Sequence, residues 1–211
     1  MEPEPTDAAK AHWERVYSTK AADAVSWFQA HALTSARLIR GLVPDLDAPI
    51  LDVGGGASTL VDDLLDAGYR DLTVLDISRA ALEKAAARLG DRVSRVRWVE
   101  ADLLLADLPL HGTALWHDRA VFHFLTSAEA RATYVRQVER AVRPGGHVIV
   151  ATFGSEGPER CSGLPTVRYD PEGLHDEFGA RFALLGHEEE AHPTPFGTVQ
   201  QFMYCYCRRE G

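Results

Sequence analysis

The stretch Ile50-Leu51-Asp52-Val53-Gly54-Gly55-Gly56 constrains this chain more than any other part of it. Ile50 to Val53 reads as a short buried strand, and the glycines then let the backbone turn sharply. A helix is expected directly afterwards, from Thr59 to Ala67, with Leu60, Leu64 and Ala67 at helical spacing and Gly68 as its stop. A strand that passes through glycine into a helix opens a strand–helix repeat, in which parallel strands are covered by helices.

The repeat continues. Leu72 to Leu75 reads as a strand ending at Asp76, and Ser78 can cap a helix from Arg79 to Leu89 that Gly90 ends. Val96 to Val99 is a third strand. Thr113 to Trp116 is a fourth, leading into His117-Asp118-Arg119. Thr126-Ser127-Ala128-Glu129 matches a capping box, and its helix runs to Val142. Pro144-Gly145-Gly146 turns the chain into a fifth strand, Val148 to Thr152, apolar enough to be central. Gly157 to Pro165 reads as a loop. Phe182 to Glu190 and Gln200 to Cys207 form an antiparallel pair joined across Pro193 and Pro195. Ahead of the repeat, residues 1–6 look frayed. Helices are expected at Asp7 to Tyr17 and Thr34 to Leu42, with the aromatic segment Val25-Ser26-Trp27-Phe28 between them.

A chain of 211 residues suits one domain spanning 1–211, with residues 1–45 as a helical lid. Its net charge of −9 disfavours nucleic acid and anionic lipid as partners. There is no apolar run of about 18 residues to span a membrane. The start Met1-Glu2-Pro3-Glu4-Pro5 is no signal peptide, so a cytoplasmic setting is expected, with a monomer favoured. Cys205 and Cys207 point the same way on a strand and should not bridge. No metal is expected, because that pair supplies only two ligands.

Ligands of such sheets bind beyond the carboxyl ends of the strands, and there the chain places Asp52, Asp76 and Asp102. Asp76 can accept from both hydroxyls of a ribose, and Asp102 from an adenine amino group. Thr59 occupies the third glycine position of the dinucleotide pattern, which points away from a pyrophosphate and toward a nucleoside without phosphates. Ile50 to Gly56 resembles motif I of the class I S-adenosylmethionine-dependent methyltransferases. Val74-Leu75-Asp76-Ile77-Ser78 resembles their ribose-binding segment, Val99-Glu100-Ala101-Asp102-Leu103 their adenine-binding segment, and Arg143-Pro144-Gly145-Gly146 their turn before the fifth strand. The resemblance implies a Rossmann-like, doubly wound α/β sheet of about seven strands, mostly parallel with an antiparallel C-terminal strand. It also implies S-adenosylmethionine as cofactor and S-adenosylhomocysteine as product. The cofactor contacts it implies are Trp27, Asp52, Gly54, Gly55, Gly56, Asp76, Ile77, Ala101, Asp102, Leu103 and His117.

The methyl acceptor should lie at the end of the fourth strand. There His117 and His123 can serve as bases, Asp118 can orient one of them, and Arg119 can hold an acidic group of the substrate. The plainer reading pairs Asp118 with Arg119 and buries a histidine. Trp13 and Tyr17 can cover the acceptor, and Cys161 can contact it or act as a reactive thiol. Two subfamilies compete. Trp116 to Val121, the Gly-Pro loop and Phe178-Gly179 resemble thiopurine S-methyltransferases, which implies a small molecule with a soft nucleophile such as a thiol. Trp13-Glu14-Arg15-Val16-Tyr17 and Val25 to Phe28 resemble protein lysine methyltransferases, but Asp118-Arg119-Ala120 replaces their Asp-Lys-Gly motif. A nicotinamide-dependent oxidoreductase is the remaining alternative.

Overall fold

The computed structural model describes residues 5–211, so the acidic start Met1-Glu2-Pro3-Glu4 lies outside the described residues. Two helices come first, α1 (Pro5–Thr19) and α2 (Leu33–Leu42). The strand–helix repeat then runs β1 (Ile50–Val53), α3 (Leu60–Asp66), β2 (Leu72–Asp76), α4 (Arg79–Leu89), β3 (Val96–Glu100), β4 (Thr113–Arg119), α5 (Ala128–Ala141) and β5 (Val142–Phe153). It is followed by β6 (Arg160–Cys161), β7 (Leu164–Pro165), α6 (Pro171–Asp176), β8 (Phe182–Pro193) and β9 (Val199–Arg209).

One sheet of seven strands has the order β3-β2-β1-β4-β5-β9-β8. The pairs from β3 through to β5 are parallel, whereas β9 runs antiparallel to both β5 and β8. The expected α/β sheet is therefore present, with its one reversed strand inserted between β5 and the edge. The order of strands reverses between β1 and β4, where α/β sheets open a crevice for ligands.

Successive side chains on a strand point to opposite faces, and both faces are packed. Ile50, Leu115 and Ile149 lie on one face with Ile39 of α2 and Leu60 and Leu64 of α3. Leu51, Trp116 and Val148 lie on the other with Tyr134 and Val138 of α5 and Leu174 of α6.

Four expectations are corrected. The fourth strand continues to Arg119, so His117, Asp118 and Arg119 belong to it and alternate between its faces. The N-cap of α5 is Ser127, one residue later than a capping box would place it, and its hydroxyl accepts from Ala130 N–H (3.2 Å). Pro144-Gly145-Gly146 is part of a bulge in β5, because Val142 pairs with Thr113 and His147 with Leu115. The expected loop at Gly157 to Pro165 contains the hairpin β6–β7, turned by Ser162 and Gly163, both at positive φ. As expected, Cys205 and Cys207 are free thiols, with Sγ atoms 3.6 Å apart.

Candidate active site

The ends of β1, β2 and β3 open on a cavity of about 400 Å³. Gly54 ends β1 with φ +64°, a conformation open to glycine, and an added Cβ would meet Val121 Cγ2 at 2.0 Å. Gly56 lies equally close to β2: a Cβ there would sit 2.4 Å from Asp76 Oδ2. Asp76 is buried, and its Oδ1 accepts from Ser78 N–H (2.8 Å). Burial is the chief cause that pushes its carboxyl up to about 7, and the Asp52 charge adds to the shift. Asp102 closes its own turn by accepting from Leu104 N–H (2.8 Å).

Gly54, Asp76, Ile77, Ala101, Asp102 and Leu103 line this cavity, together with Trp13, Tyr17, Trp27, Arg119 and Cys161. A second cavity of about 50 Å³ lies deeper, between Asp52, Gly54, Gly55, Ser35 and His117. Gly56 lines neither cavity and acts by its contact with Asp76. The residues present fit an S-adenosyl group. Asp76 can take a vicinal diol, the glycine turn leaves room for it, and Asp52 Oδ2 is a buried carboxylate oxygen without a partner on the wall of the deeper cavity.

The roof is aromatic. Trp13 of α1 meets Phe124 edge-on at 5.0 Å and Trp27 at 5.8 Å. Trp27 Nε1–H donates to the Tyr17 hydroxyl (3.1 Å). Electron-rich ring faces of this kind suit a cationic sulfonium.

The strand alternation in β4 separates the residues expected to work together. Asp118 points to the α5 side, where it accepts from Val121 N–H (2.9 Å), Phe122 N–H (3.0 Å) and the Tyr134 hydroxyl (2.7 Å). It orients neither histidine. It holds the segment after β4, including Ala120 at φ 76°, against the cavity. His117 points to the α2 side, with Nδ1 2.7 Å from Asp52 Oδ1 and Nε2 2.9 Å from Ser35 Oγ. Both ring nitrogens are therefore occupied. His123 is fully buried between Phe124 and Phe153, its Nδ1 accepts from Phe153 N–H (3.3 Å), and burial pulls it down to about 3. It lies outside the cavity as a neutral ring, which corrects its reading as a base.

Arg119 lines both cavities, but its guanidinium is engaged. It donates to the Tyr204 hydroxyl (3.0 Å), to Trp27 O (3.3 Å) and to Glu190 (3.4 Å), and it lies 4.0 Å over the Phe202 ring. It pairs with Glu190 and not with Asp118, and it is not free to clamp an acidic substrate. Cys161 is a buried thiol pushed up to about 11, chiefly by desolvation, so the reactive-thiol reading is corrected while its place on the wall stands. Sequence reasoning missed Ser35, Tyr204 and Glu190, which reach the site from distant segments, and Glu14. Phe124, directly after His123, was not singled out either.

Residues 50–146 match the family described as "Methyltransferase domain". The chain is 24% identical over 138 residues to the mouse (Mus musculus) eEF1A lysine and N-terminal methyltransferase, covering 65% of this chain and 19% of that protein. It thus spans about a fifth of the length of that relative. It is 24% identical over 203 residues to human (Homo sapiens) EEF1A lysine methyltransferase 2, covering 88% of this chain and 77% of that protein. The fold is shared with Burkholderia thailandensis 1,6-didemethyltoxoflavin-N1-methyltransferase, solved with its acceptor and S-adenosylhomocysteine, at a TM-score of 0.71 and 18% identity over 100% of this chain and 92% of that one. These matches favour a methyltransferase over a nicotinamide oxidoreductase. The domain match over residues 50–146, the fold and the cavity together support a class I S-adenosylmethionine-dependent methyltransferase.

Proposed function

We propose that the protein moves a methyl group from S-adenosylmethionine to a small, uncharged acceptor whose nucleophile is a thiol or another soft atom. The observation that carries this reading is the chemistry of the acceptor half of the cavity. Its wall is Trp13, Trp27, Phe124, Leu125, Cys161 and Leu164, and the one cation there among the described residues, Arg119, is balanced by Glu190.

Such a wall favours desolvation of an apolar guest and holds it in line with the donor. The cofactor supplies an electrophilic methyl group on a sulfonium. Asp76 binds the ribose, Asp102 the adenine, and the glycine turn with Asp52 the amino acid end. His117 keeps Asp52 oriented. Tyr17, Trp13 and Trp27 exclude water. Among the described residues, no side chain in the acceptor half is placed to take a proton, which suits a neutral soft nucleophile that attacks without prior deprotonation, a thiol's proton leaving to solvent with the product.

Labelled S-adenosylmethionine incubated with a panel of small thiols, selenols and amines tests this reading, and label in a thiol or selenol product supports it. The alternative acceptor is a protein lysine, favoured by the alignment with EEF1A lysine methyltransferase 2 over most of the chain. Label appearing in one protein band of a cell lysate, with none in the small-molecule panel, would replace the first reading by the second.

A further inference from the structure

The polar side of α1 is fastened to the cofactor end of the sheet by contacts that the methyl transfer itself does not require. Glu14 lies at the N-terminus of α4. Its carboxylate accepts from the Ser78 hydroxyl (2.8 Å) and from Ala80 N–H (3.2 Å). The Ser78 hydroxyl in turn accepts from Ala81 N–H (3.2 Å), and Ser78 N–H donates to Asp76. A helix N-terminus favours a carboxylate through its unpaired N–H groups and its dipole. The turn from Asp76 to Ala81 is therefore closed from inside by Asp76 and from outside by Glu14.

Two further contacts lie along α1 and just past its end. Lys10 pairs with Glu100 (2.7 Å), which also holds Arg79 (2.8 Å), and Lys84 donates to Lys20 O (2.6 Å). Glu100 directly precedes Ala101 and Asp102. The adjoining stripe of α1 carries Ala9, Trp13 and Tyr17 into the cavity. One helix thus touches the Asp76 turn and the end of β3 just ahead of Asp102, and supplies part of the acceptor roof.

We propose that Glu14 is a positioning residue that couples seating of the aromatic roof to binding of the S-adenosyl group at the Asp76 turn, each reinforcing the other. The inference rests on the assignment of this cavity to the S-adenosyl group. Occupancy of the Asp76 turn then steadies the cap that Glu14 completes, and a seated α1 in turn holds that turn in its binding shape. Such reciprocity is required of any two sites that share a coupled element.

The test uses S-adenosylhomocysteine as probe on the whole chain, with calorimetry, tryptophan fluorescence and hydrogen exchange of α1. In the wild type, ligand should slow exchange across α1 and change the emission of Trp13 and Trp27. Glu14→Ala should bind about five- to tenfold more weakly and lose the ligand-dependent protection of α1. Glu14→Gln, which keeps an acceptor oxygen, should recover most of both. Lys10→Ala, which leaves the α4 cap intact, should weaken the protection less than Glu14→Ala, and it stands in if Glu14→Ala fails to fold by showing partial loss. Wild-type affinity in Glu14→Ala, or exchange in α1 that ignores ligand in the wild type, overturns the coupling. If the wild type binds no S-adenosylhomocysteine at all, the cofactor assignment falls, and the coupling with it.

Discussion

Asp52 on β1 and His117 on β4 are register partners across the point where the strand order reverses, and their side chains meet at 2.7 Å on the α2 face of the sheet. The contact fills one ring nitrogen and Ser35 fills the other. His117 is thereby a part of the site's wall, and Ser35, from a helix outside the strand–helix repeat, completes it.

Ser35→Ala removes that hydroxyl from a buried position and leaves His117 Nε2 without its partner. The expected loss of stability is about 1–3 kcal/mol, read from urea unfolding. An unchanged midpoint would mean that His117 is satisfied elsewhere.

Asp76→Asn should separate stability from binding. With its carboxyl held up to about 7 by burial, Asp76 gives up its proton later in the folded chain than in the unfolded one. Unliganded wild-type protein therefore loses this contribution to stability as pH rises from the ordinary carboxylate range through about 7. The asparagine variant lacks that loss, so it should melt at a higher temperature than wild type at about pH 8, where the difference is fully developed. It should also bind S-adenosylhomocysteine more weakly, and wild-type affinity should fall as pH drops below about 7, because a protonated Asp76 no longer accepts two hydroxyls. A variant that melts no higher than wild type at the alkaline end contradicts the burial effect.

Gly56→Ala places a methyl 2.4 Å from Asp76 Oδ2 and 2.8 Å from the Ala81 Cβ. Overpacking of this kind costs about 1–3 kcal/mol. Because the clash falls on the Asp76 carboxylate, S-adenosylhomocysteine affinity measured by calorimetry should drop by about tenfold or more. Full affinity would show that Asp76 moves without consequence and does not hold the ribose.

Cys161 should react slowly with iodoacetamide near neutral pH, since its thiol is pushed up to about 11 and is 5% exposed. Mass spectrometry of the folded protein should find it largely unmodified and, after denaturation, modified. Rapid labelling of folded protein would require the β6–β7 hairpin to open readily.

The strand–helix repeat, the glycine turn and Asp76 and Asp102 were legible because each rests on neighbours close in sequence. Ser78 capping α4 is of the same kind. The length of β4 was less visible. His117, Asp118 and Arg119 are polar, so their burial inside a strand depends on partners that local pattern does not display. Ser35, Glu190 and Tyr204 supply partners of His117 and Arg119 from α2, β8 and β9, and Tyr134 of α5 supplies one for Asp118. Glu14 escaped notice for the same reason, since its partners Ser78 and Ala80 belong to another helix. The cap of α5 was misplaced for a local reason: Thr126 and Ser127 offer equivalent hydroxyls one residue apart, and the structure uses Ser127.

The pairing of Arg119 with Glu190 has a consequence for how a guest arrives. The two charges cancel inside the wall, so the acceptor half of the cavity projects little field toward solvent, while the chain as a whole carries −9. A neutral acceptor is then gathered by diffusion and held by shedding its water, and its capture rate should be indifferent to ionic strength. An anion of the same shape would meet repulsion from the surface and no compensating cation within. For the proposed acceptor, this partly buried ion pair would act as a filter on charge at a distance from any atom that reacts.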